Sequence, residues 1–211
     1  MAEEELTKKE VTDYFRSNIF ESLSAYSAWK MILASRSSGM VPSNLAERYV
    51  KVQSYHSNFF IGAERAFLFQ FVIQILHSFD KRTDSASLYQ VDKSTTEAFV
   101  SENTKVIQAL RDVRNKIFAH RDMKTSQEKL NEYRIPPMND LDQFFKNLIE
   151  FYNSLTKDVD RSSTVFDNAY DIKHDIENLF MNVQRGEIVR KEEIDIEWMW
   201  AKDSKKASDI L

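Results

Sequence analysis

The 211-residue sequence has no cysteine, three glycines and three prolines. Without cysteine there is no disulfide, no thiolate nucleophile, and no Cys-ligated zinc or iron–sulfur cluster. This suits a reducing interior, and a cytoplasmic location is expected. Three glycines and three prolines are too few for a sheet joined by tight turns or for a phosphate-cradling loop. No G-x-G-x-x-G, Walker-type or G-x-S-x-G pattern occurs, which argues against strand–loop–helix nucleotide folds and serine hydrolases. The four histidines form neither H-x-x-x-H nor H-E-x-x-H, so no metal and no cofactor is expected. The opening Met-Ala-Glu-Glu-Glu-Leu lacks a basic-then-apolar leader, so no signal peptide is read there. The most apolar window, 59–79, contains Glu64, Arg65, Gln70 and Gln74, and reads as a buried helix rather than a membrane span.

Aromatic side chains are plentiful, at 12% with 15 phenylalanines, which argues for a packed core. The net charge of -4 is wrong for a general nucleic-acid coat, so any polyanion site must be a local patch. Helical periodicity runs through the chain. Val11, Phe15, Ile19, Leu23 and Tyr26 predict a first helix over 8–37, ended by Ser-Ser-Gly-Met-Val-Pro. A second helix is expected from Asn44, with Glu47 at capping-box spacing, to Phe79, bent near Gly62. Phe59, Phe60, Ala63, Phe67, Phe71, Ile75 and Phe79 form its apolar face. After a polar connection over 80–94, in which Leu88–Val91 reads as one helical turn, Ser94 is expected to cap a third helix carrying Val106, Leu110, Val113 and Ile117. Pro136-Pro137 closes a charged loop. Further helices are expected over 139–157 and 168–185, the latter ended by Gly186 as a C-cap. The expected fold is an all-α antiparallel bundle of about five helices over 1–186. A charged tail over 187–211, carrying Trp198 and Trp200, is expected to be loosely held.

The chemistry concentrates at Leu110–Asp122. On an ideal helix Leu110, Val113 and Ile117 form one stripe, with Arg114 and His120 on opposite flanks about 120° apart. Two copies packed stripe to stripe about a two-fold axis would bring Arg114 of one chain toward His120 of the other. Histidine exchanges protons near neutral pH. Arginine forks onto phosphate, and Asn115 can orient either group. Two motif histidines in a dimer could serve as base and acid for metal-free RNA cleavage by 2′-hydroxyl attack. Over 105–124, Lys105, Arg111, Arg114, Lys116, Arg121 and Lys124 face only Asp112 and Asp122, a local balance of +4. Elsewhere, His77 reads as a partly buried core histidine, and His174 as a flank residue between Asp171 and Glu177.

The run Arg114-Asn115-Lys116-Ile117-Phe118-Ala119-His120-Arg121-Asp122 resembles the signature of the HEPN superfamily of small helical proteins. The form R-N-K-x-x-A-H-R-D, preceded by Leu110-Arg111, is similar to the branch related to the phage abortive-infection protein U. So are the helix end at Phe67–Asp80 followed by Ser-Leu-Tyr at 87–89, and the aromatic-rich helix after the motif. The resemblance covers roughly residues 10–185, and its specific part is the motif. It implies a helical bundle and a homodimer with the motifs at its interface, through the 110–121 helix. It also implies metal-independent endoribonuclease activity in a toxin–antitoxin or antiphage system, with an antitoxin protein as partner. Arg114 and His120 would be catalytic and Asn115 their polar assistant. Arg111, Lys116, Arg121 and Lys124 are the candidate RNA-binding residues. Some members of the superfamily are not nucleases, so a non-catalytic module binding nucleic acid, a nucleotide or a protein is the alternative. A helical adaptor using the Trp198–Trp200 tail is a third reading.

Overall fold

The computed structural model of the chain describes residues 6–82, 84–115 and 135–208, and side chains as far as residue 194. The protein is all-α, and no strand occurs among the described residues. Among the described residues the helices are α1 (Lys8–Ala34), α2 (Ser43–Tyr55), α3 (Ser57–Ser78), α4 (Lys93–Glu102), α5 (Thr104–Val113), α6 (Met138–Val159) and α7 (Ile172–Ser208). Short 3-10 turns lie at Leu88–Gln90 and Asp167–Tyr170. Packing groups the chain into two units, one drawn from 1–30 and 63–172, the other from 31–62 and 173–211.

In the first unit the periodic face of α1 is sealed inside: Val11, Phe15, Ile19, Leu23 and Tyr26 are all buried. α6 meets it with Leu141, Phe144, Phe145, Leu148 and Tyr152. Tyr26 stacks on Phe145 at a centroid separation of 4.6 Å, and its hydroxyl donates to Asp142 Oδ1 at 2.7 Å. Lys30 Nζ holds the same carboxylate at 2.6 Å. Burial, with Asp142 alongside, pushes the Tyr26 hydroxyl pKa far above its usual range. The Tyr152 hydroxyl donates to the Thr12 carbonyl at 2.7 Å, and burial pushes its pKa up to about 12. A second aromatic stack joins α4 to the end of α3 and to α6: Phe99 lies 5.4 Å from Phe79 and 4.4 Å from Phe151.

By length and composition α3 could cross a membrane. Here, though, Phe71, Val72, Ile75 and Leu76 are buried in the core of this unit. The predicted face of α3 needs correction at its start, because Phe59 is 60% exposed. A strict every-fourth-residue series precesses by about 40° per step, so Phe59 points about 160° away from Ile75. The buried stripe follows Leu68, Phe71, Val72, Ile75 and Phe79 instead.

Helix boundaries differ from expectation where a side chain competes for the backbone. The anticipated single helix over 44–79 is two helices. The break falls at His56 (φ -127°, ψ 46°), while Gly62 continues α3 without a left-handed φ. α2 begins after Pro42 with no side-chain cap, so the Asn44/Glu47 capping box is not used. α4 is capped by Asp92, two residues before the expected Ser94. The Asp92 carboxylate accepts from the Thr95 backbone N–H at 3.0 Å and from the Thr95 and Ser94 hydroxyls. These bonds, the backbone one foremost, hold the Asp92 carboxyl below its usual pKa, and a charge-assisted cap outcompetes a hydroxyl. Between α4 and α5 the chain breaks at Asn103, whose side-chain amide donates to the Phe99 carbonyl at 2.9 Å.

The second unit is built on Tyr49 and Phe60, which flank the Phe180 ring at 4.8 and 5.4 Å. Here the expected helix end at Gly186 does not occur: α7 runs through it to Ser208. The reason lies one residue further on. Glu187 is buried, and it accepts from Arg190 Nη2 at 2.7 Å and lies 3.1 Å from His56 Nε2. Lys191 Nζ sits 4.9 Å over the Tyr55 ring. These contacts outweigh the roughly 1 kcal/mol cost of a glycine inside a helix, so residues 187–208 are helical.

Candidate active site

The motif is carried by α5. Ten residues of isolated helix would be marginal in water, so packing must hold it. Val106, Ile107, Leu110 and Val113 do so: all four are buried, at roughly 1.5–3 kcal/mol each for full burial. The α-helical run stops at Val113, and Arg114 and Asn115 adopt a π-helical turn. The Arg114 N–H reaches back to the carbonyls of Leu110 and Arg111. A π-turn changes the angular step between residues. The separation of Arg114 and His120 expected on an ideal helix lies outside the described residues.

Arg114 is half-buried and Asn115 exposed. Arg114 Nε donates to Asn115 Oδ1 at 3.0 Å, so the amide fixes one edge of the guanidinium. One turn earlier Arg111 is also half-buried, and Asp112 accepts from Gln108 at 3.1 Å. His120, Lys116, Arg121 and Lys124, together with Ile117, lie outside the described residues. The geometry in hand thus places Arg111, Arg114 and Asn115 at one end of α5.

Leu110 and Val113 are each 1% exposed. These two residues of the stripe are covered by the chain's own residues, while Ile117, its third member, lies outside the described residues.

The other histidines are engaged locally. His77 Nδ1 lies 3.4 Å from the Tyr14 hydroxyl, with its ring against Tyr14 and Phe15. His174 Nδ1 lies 3.4 Å from Glu177, and His56 belongs to the Glu187 cluster.

Beside α4, sequence reasoning missed a cavity of about 440 Å³ lined by Lys81, Arg82, Ser87, Tyr89, Gln90, Lys93 and Glu97. The Ser87–Gln90 capping box folds the 3-10 turn that presents Tyr89, and Thr96 ties that turn to α4 by donating to the Leu88 carbonyl at 3.1 Å. The sequence signal for it is the pair Lys81-Arg82 inside the polar connection.

Fold and motif together define a HEPN-superfamily domain of the abortive-infection type. The family model for AbiU2 matches residues 8–180, and the chain belongs to that HEPN family. Comparisons with curated proteins and with solved structures each return no match.

Proposed function

We propose that the chain is a metal-independent endoribonuclease of HEPN type acting in a toxin–antitoxin or antiphage system in the cytoplasm. The observation that carries this reading is Arg114, held by Asn115 at the end of a packed helix, as the first residue of the R-N-K-x-x-A-H-R-D run. In the reaction, His120 of one copy takes the proton of an RNA 2′-hydroxyl. The freed oxygen attacks the adjacent phosphorus, and the bond from phosphorus to the 5′-oxygen breaks. The second copy's His120 returns a proton to that leaving oxygen. Arg114 stabilises the charge that builds on the phosphoryl oxygens. The products are a 2′,3′-cyclic phosphate and a 5′-hydroxyl. The active unit is a homodimer meeting on the polar side of the motif helix, with Lys116, Arg121 and Lys124 adding charge for the strand and an antitoxin protein as the natural restraint.

The test is cleavage of RNA in EDTA by wild type, His120→Ala and Arg114→Ala, with mass in solution measured in parallel. Cleavage by wild type alone is expected, from a dimer. Equal cleavage by wild type and His120→Ala removes the catalytic assignment, and a strict monomer removes the composite site. RNA binding that is weakened by Arg114→Ala, with no turnover by wild type, would make the chain a binding module instead.

A further inference from the structure

The cavity beside α4 has a composition that the fold does not require. Lys81, Arg82 and Lys93 line it against one carboxylate, Glu97. Asp80 and Asp84 lie near Arg82, but both contacts, at 2.9 and 3.9 Å, fall on its Nε. Lys81 Nζ sits 5.4 Å from the centre of the Tyr89 ring. The Tyr89 hydroxyl is buried and has no hydrogen-bond partner among the described residues.

The position matters as much as the charge. Arg111 acts electrostatically on the Tyr89 hydroxyl, against the upward push of burial on its pKa. Arg111 lies one turn before Arg114, whose N–H bonds back to the Arg111 carbonyl. The cations thus run from the cavity through Arg111 to the motif arginine. A chain of regularly spaced anions fits such a row better than a single small anion does.

We infer that this cavity is a phosphate subsite that holds the backbone of an RNA strand beside the scissile position, with Lys81, Arg82 and Lys93 as its cations. The inference rests on the ribonuclease reading for its choice of ligand. It gives the site a second grip on the strand. A single arginine at the reacting phosphate cannot set the register of the substrate, whereas a backbone contact to a flanking phosphate can.

The test measures binding of a fluorescent 2′-O-methyl RNA, which cannot be cleaved by 2′-hydroxyl attack, to the full chain at several salt concentrations. The proteins are wild type, Lys81→Gln/Lys93→Gln, Glu97→Gln, and a charge-matched control, Lys9→Gln/Lys51→Gln, which alters no residue lining the cavity. Both lysines of the site are exposed, so folding is expected to be kept, and the thermal midpoint checks it. The site double variant should bind about five- to tenfold more weakly at ~0.1 M salt, with its salt slope shallower by about 0.7 for the one phosphate released. Glu97→Gln should bind about two- to threefold more tightly, and the control should match wild type. Unchanged binding in the site double variant, or an equal loss in the control, overturns the subsite. Cleavage of ordinary RNA in EDTA by wild type is scored separately. Cleavage together with unchanged binding by the site variant rejects the subsite alone. Site-specific loss of binding without wild-type cleavage keeps the subsite and rejects the catalytic reading.

Discussion

Replacing Tyr26 with phenylalanine tests the clasp that fixes α6 against α1. The ring would stay, so its stack on Phe145 at 4.6 Å survives. Only the hydroxyl goes, and with it the 2.7 Å bond to Asp142 Oδ1 and the 3.1 Å approach to the Met138 carbonyl. Hydrogen bonds to charged groups contribute about 1.5–3 kcal/mol. Two features pull the value toward the low end. Asp142 keeps Lys30 at 2.6 Å, and its side chain is 43% exposed, so water can solvate the oxygen that loses its donor. We expect a loss of about 1–2 kcal/mol, which for a chain of this size lowers the thermal midpoint by about 2–8 °C. Helical circular dichroism during heating, with urea titration alongside, reads it. Lys30→Met and the Tyr26→Phe/Lys30→Met pair complete a double-mutant cycle. Because both partners share one carboxylate, the double loss should exceed the sum of the singles. A midpoint unchanged within about 1 °C, or single losses that simply add, would refute the reasoning.

Two further outcomes follow from the second unit. Arg190, with His56 beside it, holds the Glu187 carboxyl below its usual pKa. A carboxyl depressed on folding stabilises the protein above the unfolded value of about 4.3, and loses that contribution as pH falls through the folded value. Glu187→Gln should therefore unfold at lower urea than wild type at neutral pH, with the gap closing below about pH 4; a gap that does not change with pH contradicts the ion-pair account. At Gly186 an added Cβ meets nothing within 4 Å, and the backbone is not left-handed. Gly186→Ala should stabilise by about 0.5–1 kcal/mol and raise the thermal midpoint. A drop would instead indicate the C-cap geometry that glycine normally serves.

Long amphipathic periods made α1 and α6 legible. Their buried residues recur at helical spacing, and side chains that bond to the backbone inside them, such as Ser22 to the Asn18 carbonyl and Thr156 to the Tyr152 carbonyl, do not end the helix. Boundaries were less legible because they depend on which of several capable groups wins. Asp92 and Ser94 both suit an N-cap, and only the carboxylate collects three donors. Gly186 looks like a stop, and only the fold brings His56 within 3.1 Å of Glu187 to carry the helix onward. Of the candidate site, Arg114 and Asn115 stand out by type and spacing, and the fold joins their side chains at 3.0 Å. The cavity was not legible, since Lys81, Tyr89 and Lys93 are separated in sequence and gathered around a 3-10 turn that a local pattern cannot place.

The burial of α5 constrains how the motif can work. Its apolar stripe is committed inward, so orientation of the helix is set before any second copy arrives. Rotation that would turn Leu110 and Val113 toward a partner would expose two side chains now 1% accessible, at roughly 1.5–3 kcal/mol each. If the proposed ribonuclease function holds, the polar surface with Arg111 and Arg114 is what remains for RNA and for a second chain, and a composite site assembled there would need no repacking of Leu110 and Val113. Arg114 and Asn115 adopt a π-helical turn directly after the buried Val113. There Asn115 Oδ1 accepts from Arg114 Nε at 3.0 Å, and so the amide aims the guanidinium.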